Sequence, residues 1–194
     1  MTTTIQRPAI HRAEVAATAR TAEPGRDVGL LALRVTIGLL MACHGAQKLF
    51  GWFGGPGLHG TGAGFAHLGY TPGTFFAGVA GTTEFGAGLL LALGALTPLA
   101  CAGIIGVMTN VVFAVSWHEG LFGHPPAHQG FELPLLLGVG AVGLAFTGPG
   151  RLSVDGVLGL DRRWARLGGG VLVGLGGVLL GVIGALVVML GFKS

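Results

Sequence analysis

The chain is poor in charge. Of its 194 residues only 10% are Asp, Glu, Lys or Arg, against about 25% in a soluble domain. Cysteine is scarce too, confined to Cys43 and Cys101. They form no C-x-x-C pair, which excludes a dithiol redox motif. No flavin, haem or iron–sulfur motif can be defended, so electron transfer by this chain unaided is not expected. Lys and Arg are absent from 51–72 and from 118–130. The net charge of +3 sits in two blocks. Such blocks are topology signals and not a nucleic-acid surface.

Apolar residues fill the space that charge leaves. They make up 51% of the chain, and the mean hydropathy is +0.74. A water-soluble core of this size could not hide so much apolar surface, so lipid must cover the rest. Glycine is the commonest residue, at 39. In a membrane bundle small residues let helix backbones approach closely.

The apolar runs give the organisation. Residues 1–27 are polar, with Arg7, Arg12, Arg20 and Arg26, and are read as a disordered cytoplasmic tail. No signal peptide is expected, because the polar stretch precedes the first apolar run and no cleavage pattern follows. Spans are expected at 28–50, 74–96, 99–117, 131–146 and 169–192, each helical because lipid cannot satisfy backbone polar groups. The segments joining the first to the second span and the third to the fourth are read as loops. The fold class is therefore an all-α membrane protein. A four-helix transmembrane bundle occupies 28–147, a basic cytoplasmic segment 148–168, and an additional C-terminal transmembrane helix 169–194. Arg151, Arg162, Arg163 and Arg166 in the basic segment share a side with the tail if the spans alternate. The positive-inside rule then puts the N-terminus in the cytoplasm and the C-terminus outside.

Ionisable residues inside the spans are the candidates for chemistry. Each costs roughly 2.5–3.5 kcal/mol near a bilayer centre on the mildest scale. Arg34, Met41, His44 and Lys48 fall within an arc of about 80° on one face of the first span. Counted along the helices, Glu84 and Asn110 lie about 17–18 Å from the cytoplasmic end, Arg34 about 9 Å and His44 about 24 Å. Lys48, His118 and Glu132 lie near the outer surface. Two readings stay open. In one, Arg34 pairs with Glu84 and Lys48 with Glu132, and the charges only fix helix register. In the other, a polar pocket opens toward the outer leaflet and binds a quinone head group or passes a proton. Glu84 and His44 are then the proton-active, catalytic candidates. Arg34, Lys48, Asn110, His118 and Glu132 are the ligand-binding candidates.

Other features carry less. The outer histidines are His59, His67, His118, His124 and His128. Their spacing matches no zinc motif, so no metal site is expected. Cys43 and Cys101 differ in depth by roughly 18 Å, too far for a disulfide. Gly170, Gly174, Gly177, Gly181 and Gly184 form one stripe on the last span. The stripe permits tight packing within the bundle or a homodimer.

Three stretches together resemble the DoxX family of small bacterial membrane proteins. They are RVTIGLLMACHGAQKLFG at 34–51, EFGAGLLLALGALTP at 84–98, and Phe131-Glu132-Leu133 with GPGRLSVDG at 148–156. The resemblance implies a four-helix bundle in the bacterial inner membrane and a loose association with redox processes. It points by position at Arg34, His44, Lys48, Glu84, Glu132, Arg151, Ser153 and Asp155. Ser153 or Asp155 could cap the turn that follows, and Arg151 could meet anionic lipid. The expected function is a redox-linked membrane subunit that binds a quinone or similar lipid-soluble molecule and takes electrons through a partner protein. A small-molecule transporter or channel, and a membrane scaffold without catalysis, are the alternatives.

Overall fold

The computed structural model describes residues 24–123, 130–160, 163–164 and 169–192. The tail arginines Arg7, Arg12 and Arg20, the histidines His124 and His128, and Arg162 and Arg166 lie outside the described residues. The described chain is all-helical. Helix α1 covers Pro24–Phe50, α2 Gly57–His67, α3 Gly73–Leu93 and α4 Thr97–Asn110. Helix α4 runs on through a π-helical stretch, Val111–Ser116, and a 3-10 turn, Trp117–Glu119. Helix α5 covers Glu132–Thr147, the short α6 Val154–Val157 and α7 Gly169–Phe192. Four helices are long and apolar enough to cross a membrane: Pro24–Phe50, Gly73–Leu93, Thr97–Glu119 and Gly170–Phe192. Helix α5, at 16 residues, is shorter.

Glycine sets the tightest contact, between α1 and α3. Gly38 and Gly45 on α1 meet Gly88 and Gly81 on α3, seven residues apart on both helices. A Cβ on Gly38 would come within 2.6 Å of Gly88 O, and one on Gly88 within 2.6 Å of Gly38 O. Side chains are excluded, so backbones touch and dispersion contact replaces the missing hydrophobic drive. Met41 and Leu91, Ile104 and Leu144 fill the core beside this seam.

Helix α2 departs from the loop expected over 51–72. It packs on α3 because its glycines admit the neighbouring backbone. A Cβ on Gly62 would lie 2.9 Å from Thr74 Cα, and one on Gly73 would overlap Gly62 O. Glycine that reads as loop in the sequence acts here as a contact surface.

The glycine stripe of α7 packs within the chain. Gly174 rests on the Phe146 ring, Gly177 on the Pro98 carbonyl and Gly181 on the Ala102 carbonyl. Of the two expectations for the stripe, these contacts are the tight packing within the bundle. A second copy would meet the opposite face, where Leu172, Leu179, Ile183 and Leu190 are exposed.

A clasp closes one end of the bundle. The Asp155 carboxylate accepts from the backbone N–H groups of Leu96 and Thr97, both at 2.9 Å, and from the Thr97 hydroxyl at 2.7 Å. It thereby caps α4, where an anion also complements the helix dipole. The Asp155 N–H donates to Gly94 O. Arg34 donates from Nη1 to Ala92 O at 3.0 Å and from Nη2 to Leu152 O. Asp27 accepts from the Arg151 N–H at 3.0 Å. At the other end the Glu132 N–H donates to Leu121 O, and Trp117 stacks between Phe113 and Phe131.

Candidate functional site

The register of the α1–α3 seam decides which charges meet. Gly45 sits against Gly81 and Phe85, so Glu84 is level with residue 44 of α1. Arg34 is then about 15 Å away along the axis, at 1.5 Å per residue. Glu84 pairs instead with Lys48, Nζ to Oε2, at 2.6 Å. Glu84 is 1% exposed and Lys48 26%. Both expected pairs, Arg34 with Glu84 and Lys48 with Glu132, are thus replaced by one. The expectation failed because depth was counted from each span's own end as though the ends were level, whereas Arg34, ten residues into α1, sits beside the C-terminal end of α3 at Ala92 and Gly94.

Lys48 and Glu84 line a cavity of about 990 Å³. Its walls come mainly from α2, α3, α4 and α7, and they are largely apolar: Phe65, Val79, Ala87, Leu90, Val107, Leu180 and Val188. The polar exceptions besides the ion pair are Gln47, Thr61, Thr83, Tyr70 and Asn110. Asn110 is a strut across the site. Its Oδ1 accepts from the Tyr70 hydroxyl at 3.2 Å, and its Nδ2 donates to Ala185 O on α7 at 3.2 Å. Burial holds the Tyr70 phenol above its ordinary value of 10, so the hydroxyl stays a neutral donor. Glu84 Oε1 accepts no hydrogen bond from the described residues, which leaves it available to a guest.

Of the sequence candidates, Lys48, Glu84 and Asn110 line this cavity. His44 lies beside it on α1, half-buried, with Nδ1 3.2 Å from Gln47 Oε1. Arg34 belongs to the clasp, where its Nε has no partner among the described residues. His118 is exposed on the 3-10 turn, and Glu132 is exposed at the start of α5. Neither lines the cavity. His59 and His67 are exposed on α2. Among the described residues no group of three His, Cys, Asp or Glu is placed to hold a metal ion. Cys43 and Cys101 are both free. Ser153 caps the turn that follows it, accepting from the Gly156 N–H at 3.0 Å, while Asp155 caps α4. Sequence reasoning passed over Tyr70 and Gln47. The first ends a glycine-rich stretch without periodicity, and the second lies between two stronger candidates.

An all-helical chain with several apolar spans and an ion pair buried between two of them defines a small multi-pass membrane protein. The DoxX family model matches residues 29–117, from the start of α1 through the π-helical stretch of α4. The uncharacterized membrane protein Rv3486 of Mycobacterium tuberculosis is 30% identical over 136 residues, covering 65% of this chain and 78% of that protein. The chain belongs to the DoxX family. No solved structure matches it. The matched segment holds Arg34, His44, Lys48, Glu84 and Asn110, whereas α5, α6 and α7 lie beyond it.

Proposed function

We propose that this chain is a redox-linked membrane subunit that binds a quinone or similar lipid-soluble molecule in the cavity between α2, α3, α4 and α7. The observation that carries the reading is a large, mostly apolar chamber with one ion pair, Lys48–Glu84, in its wall. Such a chamber suits a guest that is mostly apolar with a few hydrogen-bonding atoms. Lys48 has N–H groups to spare for a carbonyl oxygen, and Glu84 Oε1 is placed to take a hydroxyl proton. His44, beside the pair, serves as the next proton site. Asn110 orients the wall that faces them. Electrons come from or go to a partner protein.

The architecture belongs to the same proposal. Helix α5 is the fifth span in this reading: at about 24 Å it is short of a ~30 Å hydrocarbon core, a mismatch that local thinning of the bilayer accommodates. Residues 28–147 form the bundle, 1–27 and 148–168 face the cytoplasm of a bacterial inner membrane, and α7 ends outside.

Organic extraction and mass spectrometry of the purified, lipid-retaining protein test the function. A quinone enriched in the wild type, kept by Arg34→Ala and lost by a folded Glu84→Gln, is the expected outcome. Arg34 serves as the control because it lies in the clasp. Identical lipids in all three, with no enriched quinone, would overturn the reading and leave the charges as scaffold.

A further inference from the structure

The cavity is not sealed. Helix α7 packs on α4 and α5, while α3 packs on α1, α2 and α4. The cavity lies between α3 and α7, whose Phe76 and Phe192 rings meet with centroids 5.3 Å apart at one end. Two residues that line it are also well exposed: Val79 on α3, at 42%, and Leu180 on α7, at 57%. The α7 side of the gap is small. Gly184 and Ala185 line the cavity there, and a Cβ at Gly184 would meet nothing within 4 Å. On the α3 side Gly86 is equally open. The cavity wall is already charge-balanced, because Lys48 neutralises Glu84. An added ionic head would sit uncompensated in a low-dielectric site, whereas an uncharged head would not.

We infer that the guest enters sideways from the bilayer through the α3–α7 gap, carries an uncharged head and one long apolar tail, and has its tail selected by α7. This rests on the reading of the cavity as a quinone-type site and adds the route, the head charge and the element that sets specificity. Helix α7 lies beyond the family-matched segment, so tail choice is a property of this chain's own C-terminal helix.

Binding isotherms of the full chain in detergent, with three probes, test it. The probes are a decyl-substituted benzoquinone, the same head without the tail, and decyl phosphate. The wild type should bind both quinones and discriminate against decyl phosphate by about tenfold or more. Gly184→Phe places a ring in the doorway and should weaken the tailed quinone by about tenfold while leaving the tail-less one within about twofold. Equal binding of the tailed quinone by wild type and Gly184→Phe would overturn the doorway but leave the quinone site standing. Equal loss of both quinones would also overturn it, by making Gly184 part of the head pocket. Decyl phosphate binding as tightly as the quinone would overturn the uncharged head. A wild type that binds neither quinone would overturn the site and the route together. Should Gly184→Phe fold poorly, Gly86→Leu on the facing helix gives the same contrasts.

Discussion

Glu84 is the residue on which most of the site turns. Its carboxylate is buried inside a span and has one cation, Lys48, at 2.6 Å. Removing one partner of a buried pair leaves the other uncompensated. Lys48→Met should therefore cost up to about 3–5 kcal/mol, read as a lower midpoint in an SDS unfolding titration. Replacing both, as Lys48→Met with Glu84→Leu, should recover most of that loss. A double variant as unstable as the single one would show that the pair is held by something besides mutual charge. The residues were legible in the sequence, since an ionisable group in an apolar run is conspicuous. Their partnership was not. Depth counted from each span's own end treats the ends as level, whereas α1 projects past the end of α3 and so sets Arg34 beside Ala92 and Lys48 beside Glu84. Asp155 was named as a cap, but its true client lies 58 residues earlier, at Thr97, which no local pattern encodes.

Among the elements, the α1–α3 seam and the α4 cap carry distinct costs. Gly45→Val puts a branched side chain against the Phe85 backbone, which a flexible neighbour cannot relieve. Overpacking of this kind costs typically about 1–3 kcal/mol, and the displaced helices should also break the Lys48–Glu84 pair. A lower melting temperature together with loss of bound ligand is the expected result. Unchanged melting would mean that the seam is looser than its geometry. Asp155→Ala strips the cap from α4 and should cost about 0.5–2 kcal/mol. Thermal unfolding should find Asp155→Asn milder than Asp155→Ala, because an amide oxygen still accepts. The long apolar runs gave helix positions within a few residues. Helix α2 stayed hidden because glycine carries opposite meanings in water and in a packed bundle, and composition does not say which applies.

Seen whole, the molecule brings residues 24–34, 92–97 and 147–157 to one end and 117–121 and 130–132 toward the other. The proposed orientation predicts how these ends meet a membrane-impermeant maleimide. In a chain lacking the exposed Cys43, Phe122→Cys should label from outside in intact spheroplasts, and Val157→Cys only after lysis. Both positions are well exposed, at 78% and 81%. Labelling of both without lysis would mean that α5 does not cross. The clasp has a further consequence for how the chain is made. Synthesis runs from the N-terminus, so α1, α3 and α4 emerge before Leu152 and Asp155 exist. Until then Arg34 lacks one of its two carbonyls and α4 lacks its cap. A newborn chain must hold an incompletely satisfied arginine inside the bundle for the time it takes to translate the next helix. The same deficit would be permanent in a fragment cut at the family boundary, after residue 117. Membrane quality control should therefore clear that fragment faster than the full-length chain.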